Sequence, residues 1–219
     1  DVNWPLRDRV IMSKGHAATA LYAVLARCGY IEQEMLEQYC ADGSILTGHV
    51  SHNVPGVEFS TGSLGHGLAV GAGMALGGMR EEKDYRVFVL LSDGELNEGS
   101  NWESILFSGH HGLENLVAIV DYNGLQAFGR TCDVLDLEPL VDKWEAFGWG
   151  VREIDGHDHG ELSSALHATP FAVGSPSVVI AHTVKGKGVS FMEDRLGWHY
   201  FSPDEGQLEK ALQELGERP

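Results

Sequence analysis

Two continuous apolar runs, Val87-Phe88-Val89-Leu90-Leu91 and Leu116-Val117-Ala118-Ile119-Val120, stand out along the chain. Runs of this length predict strands buried on both faces of a parallel sheet. Residues 98–111 between them have helical length. Strand, helix, strand is a βαβ unit, so both strands end on the same edge of the sheet. Upstream, the pattern predicts a helix over 15–27 closed by Gly29, and a second over 32–40. Residues 41–62 show no clear period, and a loop this long in a compact domain is usually functional. A helix of small residues follows over 64–79. Further on come a helix over 138–147 and a strand over 149–154. Asp158 and Glu161 form a capping box that opens a short helix to residue 167. A buried strand covers 177–182. Ser202 as N-cap, with Pro203 at the first helical position and Glu205 at the third, opens a last helix to residue 215. The alternation predicts an α/β fold, a parallel sheet with helices on both faces. Residues 1–219 read as one domain.

The chemistry gathers where the two strands end. Asp93 follows the first, in Ser92-Asp93-Gly94-Glu95-Leu96-Asn97-Glu98-Gly99, and Asn123 follows the second, in Asp121-Tyr122-Asn123. Open α/β sheets bind ligands at this carboxyl edge. One carboxylate and one amide oxygen facing a shared crevice suit Mg²⁺, which takes few protein ligands and completes its octahedron with water and phosphate oxygens. An isolated Asp-Gly pair is usually only a turn.

Composition narrows the classes. The 219 residues carry a net charge of −17. That excludes a basic nucleic-acid-binding surface and disfavours anionic membranes. An anionic cofactor therefore needs local compensation from Mg²⁺, helix N-termini and a few Lys or His residues. Three cysteines without metal-ligand spacing fit a reduced, cytoplasmic protein. No segment reaches the roughly 18 apolar residues of a membrane span. No Gly-x-Gly-x-x-Gly follows a strand, so dinucleotide binding is not indicated.

The Asp-Gly, Glu-Gly, Trp-Glu and Asp-x-Asn spacing resembles the thiamine-diphosphate motif. Residues 9–21 (RVIMSKGHAATAL), 55–67 (PGVEFSTGSLGHG), 136–148 (DLEPLVDKWEAFG) and 183–192 (TVKGKGVSFM) are similar to transketolases, in the same order along nearly the whole chain. The length matches the N-terminal, diphosphate-binding part of that family, as in the N-terminal subunit of a split, two-subunit transketolase.

The resemblance implies a thiamine-diphosphate-binding fold and assigns residues to it. Asp93, Asn123 and the backbone carbonyl of Leu125 would hold Mg²⁺, with Ca²⁺ or Mn²⁺ as substitutes. Gly62, Ser63, Leu64, Gly94, Glu95, Asn123, Lys185 and His199 would contact the cofactor. Leu64 would pack on it, Gly94 would let the backbone approach the diphosphate, and Lys185-Gly186-Lys187-Gly188 would close over it. His16, His49 and His199 match active-site positions, where an imidazole can pass protons to sugar hydroxyls. Glu98, rather than Glu103, would join the active sites across a subunit interface; by itself the pair reads as a solvated acidic face. The pairs His110–His111 and His157–His159 suit capping or solvent. Departures are Ser92 for Gly, Ser63 for Pro, His66 for Gln and Asn53 for His.

The implied reaction moves a two-carbon ketol unit from a ketose donor to an aldehyde acceptor. The implied partner is a C-terminal subunit carrying the pyrimidine-binding domain, in an α2β2 heterotetramer, with no nucleic acid and no membrane. Two other readings stand beside it: a subunit of another thiamine-dependent acyl or ketol transferase in specialised metabolism, and a non-catalytic cofactor-binding scaffold.

Overall fold

The computed structural model describes residues 3–216. In chain order the elements are β1 (Arg9–Met12), α1 (Ala18–Arg27), α2 (Gly67–Arg80), β2 (Val87–Ser92), α3 (Gly99–His110), β3 (Leu116–Tyr122), the short hairpin β4 (Leu125–Gln126) and β5 (Gly129–Arg130), α4 (Thr131–Val134), α5 (Leu140–Ala146), β6 (Gly150–Asp155), α6 (His159–His167), β7 (Ser177–His182) and α7 (Glu205–Gly216). Five strands form one sheet in the order β1-β2-β3-β7-β6. Every neighbouring pair is parallel. The Cα register places Ser92 beside Asp121 and Asp121 beside Ala181. All five strands thus end together at one edge.

Alternation within the strands assigns the layers. Val87, Val89 and Leu91 of β2, Leu116, Ala118 and Val120 of β3, and Val178 and Ile180 of β7 enter the main core with Leu68, Ala72 and Ala75 of α2, Ile105 of α3 and Trp144 of α5. Val179 and Ala181 face the other way and pack with Ala165 of α6. Helices therefore cover both faces, and β7, between β3 and β6, is buried from Ser177 to Ala181. Small residues in α2 let it lie close to the sheet: a Cβ on Gly71 would sit 2.5 Å from Val89 Cγ2. A smaller core joins Ala18, Tyr22 and Leu25 of α1 to Leu46, Val50 and Val54. The aperiodic stretch before α2 is thus packed loop, anchored where Val50 N–H donates to Gly15 O and Thr61 N–H to Val50 O.

Four local readings change. β1 is a strand of only four residues at the sheet edge, too short to announce itself by alternation. The second helix shrinks to a 3₁₀ turn at Gln33–Gln38 with no fully buried residue, Met35 and Leu36 packing only in part against the smaller core. At α6, Asp158 caps Gly160 and Glu161 N–H, but Glu161 reaches Asp155 N–H at 2.9 Å instead of closing the box on Asp158. At α7 the reciprocal cap is Asp204 with Gln207, two residues beyond Ser202. No helix among the described residues is long and apolar enough to cross a membrane.

Candidate active site

The sheet edge delivers Ser13 and Lys14 after β1, Asp93 after β2, Asn123 after β3, and Thr183 and Lys185 after β7. Asp93 is 1% exposed. Its Oδ1 accepts Gly94 N–H and its Oδ2 accepts Gly124 N–H, each at 2.6 Å. Burial pushes its carboxyl pKa up, and the donors from Gly124 and Gly94 only partly offset that. No salt bridge among the described residues reaches Asp93. A buried carboxylate in that condition is a place for a cation.

Asn123 stands beside it. Its Oδ1 accepts Leu125 N–H at 3.0 Å, an Asx turn that starts the β4–β5 hairpin. Gly124 takes φ +72°, a left-handed conformation that suits glycine, and its N–H donates to Asp93. Gly94 makes room for the hairpin itself: a Cβ there would lie 2.7 Å from Gln126 Cβ. The two metal candidates from separate strands are therefore brought together, with Leu125 adjoining them. Their donors are oxygens, as a hard divalent cation requires.

Glu95 is fully buried. Its carboxylate accepts Ser13 Oγ–H, Gly65 N–H at 2.9 Å and Ser92 N–H at 3.3 Å. It ties the ends of β1 and β2 to the turn before α2. That turn holds Gly62, Ser63 and Leu64, and a Cβ on Gly62 would sit 3.2 Å from His49 Cδ2. The turn thus lies against a histidine.

The three candidate histidines converge. His16 Nε2 and His49 Nε2 are 3.1 Å apart. His199, ending a 3₁₀ turn, has its pKa lowered by burial and by the nearby charges of Lys185 and His16. Lys185 is itself lowered, by burial and then by Lys14. His52 is spent differently, with Nδ1 2.6 Å from Ser60 Oγ on the exposed loop. Glu98 is exposed at the N-cap of α3, beside Gly65. No hydrogen bond among the described residues joins it to Asp93 or Asn123.

Three residues escaped the reading of motifs. Asp121 accepts Lys14 Nζ–H on Oδ2 and Thr183 Oγ1–H on Oδ1. Burial would raise its pKa, but the Lys14 ammonium and the donors from Lys14, Thr183 and Asn123 hold it below the usual carboxylate range. The Asp of Asp-x-Asn and the Lys of Ser-Lys-Gly-His were the available signals.

Residues 1–219 match the family described as transketolase, thiamine diphosphate binding domain. This chain belongs to the transketolase family. It is 44% identical over 212 residues to an apulose-4-phosphate transketolase subunit of Phocaeicola vulgatus, covering 97% of this chain and 75% of that one. It is 41% identical over 213 residues to the 6-deoxy-6-sulfo-D-fructose transketolase subunit SqwG of Clostridium sp., covering 97% and 78%. Among solved structures, a transketolase from Campylobacter jejuni superposes with a TM-score of 0.92 at 31% identity. That match covers 99% of this chain but only 35% of the other, so this transketolase-family chain spans about a third of its structural relative.

Proposed function

We propose that this chain is the thiamine-diphosphate-binding half of a two-subunit, Mg²⁺-dependent ketol transferase. The observation that carries the reading is Asp93: a buried carboxylate without an ion-pair partner among the described residues, set beside Asn123 at the edge where a parallel sheet binds ligands. Asp93, Asn123 and the Leu125 carbonyl would hold Mg²⁺, or Ca²⁺ or Mn²⁺ in its place. Lys185 would face the diphosphate. Gly62, Ser63 and Leu64 would line the cofactor next to His49, and Gly94 and Glu95 would shape its floor.

Thiamine diphosphate bound here would supply a carbanion-stabilising centre, so that a two-carbon ketol unit can pass from a ketose to an aldehyde. The residues of this chain would bind and orient. His16 and His49, in hydrogen-bond contact, would share a proton at a sugar hydroxyl, and the lowered pKa of His199 would leave it a neutral acceptor at neutral pH. Glu98, exposed at the start of α3, would meet a neighbouring subunit.

The names of the two related proteins support a partner, and they support an anionic, specialised sugar as substrate, since one carries a phosphate and the other a sulfonate. The partner would be a C-terminal subunit with the pyrimidine-binding domain, arranged as α2β2 because two-fold assemblies predominate. Residues 1–219 act here as one diphosphate-binding unit. The test is reconstitution. Ketol transfer should require this chain, the partner, thiamine diphosphate and Mg²⁺ together. Turnover by this chain alone, with the partner rigorously excluded, would overturn the proposal.

A further inference from the structure

We propose that His157 is a positioning residue that sets Lys185 against the diphosphate. The proposal rests on the reading of this edge as the metal–diphosphate site. From its place in the sequence, His157 suits a cap or solvent. In the structure it lines a cavity of about 370 Å³ together with Lys14, Asp121, Asn123, Thr183 and Lys185. Its backbone N–H donates to Asp155 Oδ1 at 2.8 Å, and Asp158 N–H donates to Asp155 O at 3.1 Å, so a tight turn after β6 carries the ring. Gly156 lets that turn run against the end of β7, since a Cβ there would lie 2.5 Å from Thr183 Cγ2.

The ring completes a ladder that the strands leave unfinished. β6 and β7 pair in register from Gly150 beside Ser177 to Asp155 beside His182. Gly156 N–H then donates to His182 O at 2.8 Å. The next peptide turns the other way, and Thr183 N–H donates to Tyr122 O of β3 at 3.0 Å. Val184 N–H points back toward β6, which has ended at Asp155. What receives it, at 2.8 Å, is His157 Nε2 in place of a strand carbonyl. A peptide N–H only donates, so Nε2 holds the lone pair and the neutral ring keeps its hydrogen on Nδ1.

Val184 immediately precedes Lys185, and Lys185 O accepts Asp194 N–H at 2.9 Å. The main chain of Lys185 is thus held before and after. Its side chain lines the cavity, and no salt bridge among the described residues engages it. The segment that follows, with Gly186 at φ +76° and Gly188 at φ +107°, has little stiffness of its own. The ammonium is left for an anion, and His157 fixes where it stands.

Such a role implies a rescue and a non-additivity. His157→Phe keeps a flat ring and removes the acceptor. His157→Gln brings an amide oxygen to the same N–H. A residue that acts through Lys185 has little left to lose once Lys185 is replaced.

The experiment measures thiamine diphosphate affinity by equilibrium dialysis at saturating Mg²⁺, on the chain assembled with its pyrimidine-domain subunit. His157→Phe is expected to weaken binding by about 3–10-fold, the worth of one hydrogen bond. His157→Gln should bind within about twofold of the unmodified chain. In a Lys185→Met background, His157→Phe should add less than about twofold. Unchanged binding by His157→Phe overturns the proposal, as does a Gln variant as weak as the Phe variant, or the full His157→Phe loss in the Lys185→Met background. His157→Ala takes the place of the Phe variant if that one does not fold. Lys185→Met and Asp93→Ala separate this proposal from the reading beneath it. If Lys185→Met binds normally and Asp93→Ala does not, the role of His157 falls and the metal site stands. If both bind normally, the site assignment falls as well.

Discussion

His16 Nε2 and His49 Nε2 lie 3.1 Å apart, so one ring nitrogen must carry the hydrogen and the other the lone pair. The pair cannot both be protonated there without losing the bond. Its geometry is held from behind, because the His49 carbonyl accepts Tyr22 O–H and Thr47 Oγ1–H, each at 2.8 Å. Tyr22 is itself buried in the core of α1. The histidines therefore inherit their positions from packing.

One expected consequence concerns donor kinetics in the reconstituted enzyme. His49→Ala and His199→Ala should each lower kcat/KM for the ketose donor by about 10²–10⁴, the range of a lost proton-transfer contact. His52→Ala should change it little, since that ring is engaged by Ser60 on the exposed loop. If His52→Ala proves the most damaging of the three, the roles assigned across residues 48–55 are wrong.

The residues proposed to hold the metal make a second case. Asp93→Ala and Asn123→Ala should each weaken Mg²⁺-dependent cofactor binding by at least about tenfold, the lower bound for loss of even an outer partner of a metal ligand. Because burial raises the Asp93 pKa and the metal needs the carboxylate ionised, binding should release protons and weaken as pH falls toward that raised value. Calorimetry in buffers of differing ionisation enthalpy measures this. Wild-type binding in both variants would remove the metal assignment.

Glu95 should behave as a structural hub. Glu95→Ala strips the acceptor from Ser13 Oγ–H, Gly65 N–H and Ser92 N–H inside a fully buried site. Each unsatisfied buried donor costs about 1–3 kcal/mol, so chemical denaturation should show a loss of about 3 kcal/mol or more. Glu95→Gln keeps an acceptor and should lose less. An Ala variant as stable as the parent would contradict this.

His199 provides a pH test. Burial first, then Lys185 and His16, lower its pKa below the ordinary histidine value. The unfolded chain then binds more protons than the folded one just below pH 6.5, so folded stability falls as pH drops through about 6.5. His199→Gln should reduce the fall in Tm between about pH 7 and about pH 5. By NMR, Lys185→Met should raise the His199 midpoint without restoring it fully, because burial remains. A midpoint at or above that of a free histidine would refute the assignment.

The sequence by itself determined the parts whose causes are local. Two unbroken apolar runs marked β2 and β3, and the residues ending them, Asp93 and Asn123, were legible because a βαβ crossover must bring both strand ends to one edge. The helix of glycine and alanine before β2 was legible from composition. Cap positions were less so, since Asp158 and Asp204 compete with neighbouring residues that carry equally good acceptors, and packing chooses among them. What only the tertiary structure decided is the company each group keeps. Lys14 meets Asp121 across 107 residues, Ser13 meets Glu95 across 82, and His16 meets His49 across 33. Strand periodicity and turn chemistry act over a few neighbouring residues. These contacts exist only after the sheet has aligned its strands and the loop over residues 41–66 has packed beneath α1, because hydrogen bonds of fixed length report where the backbone has been carried.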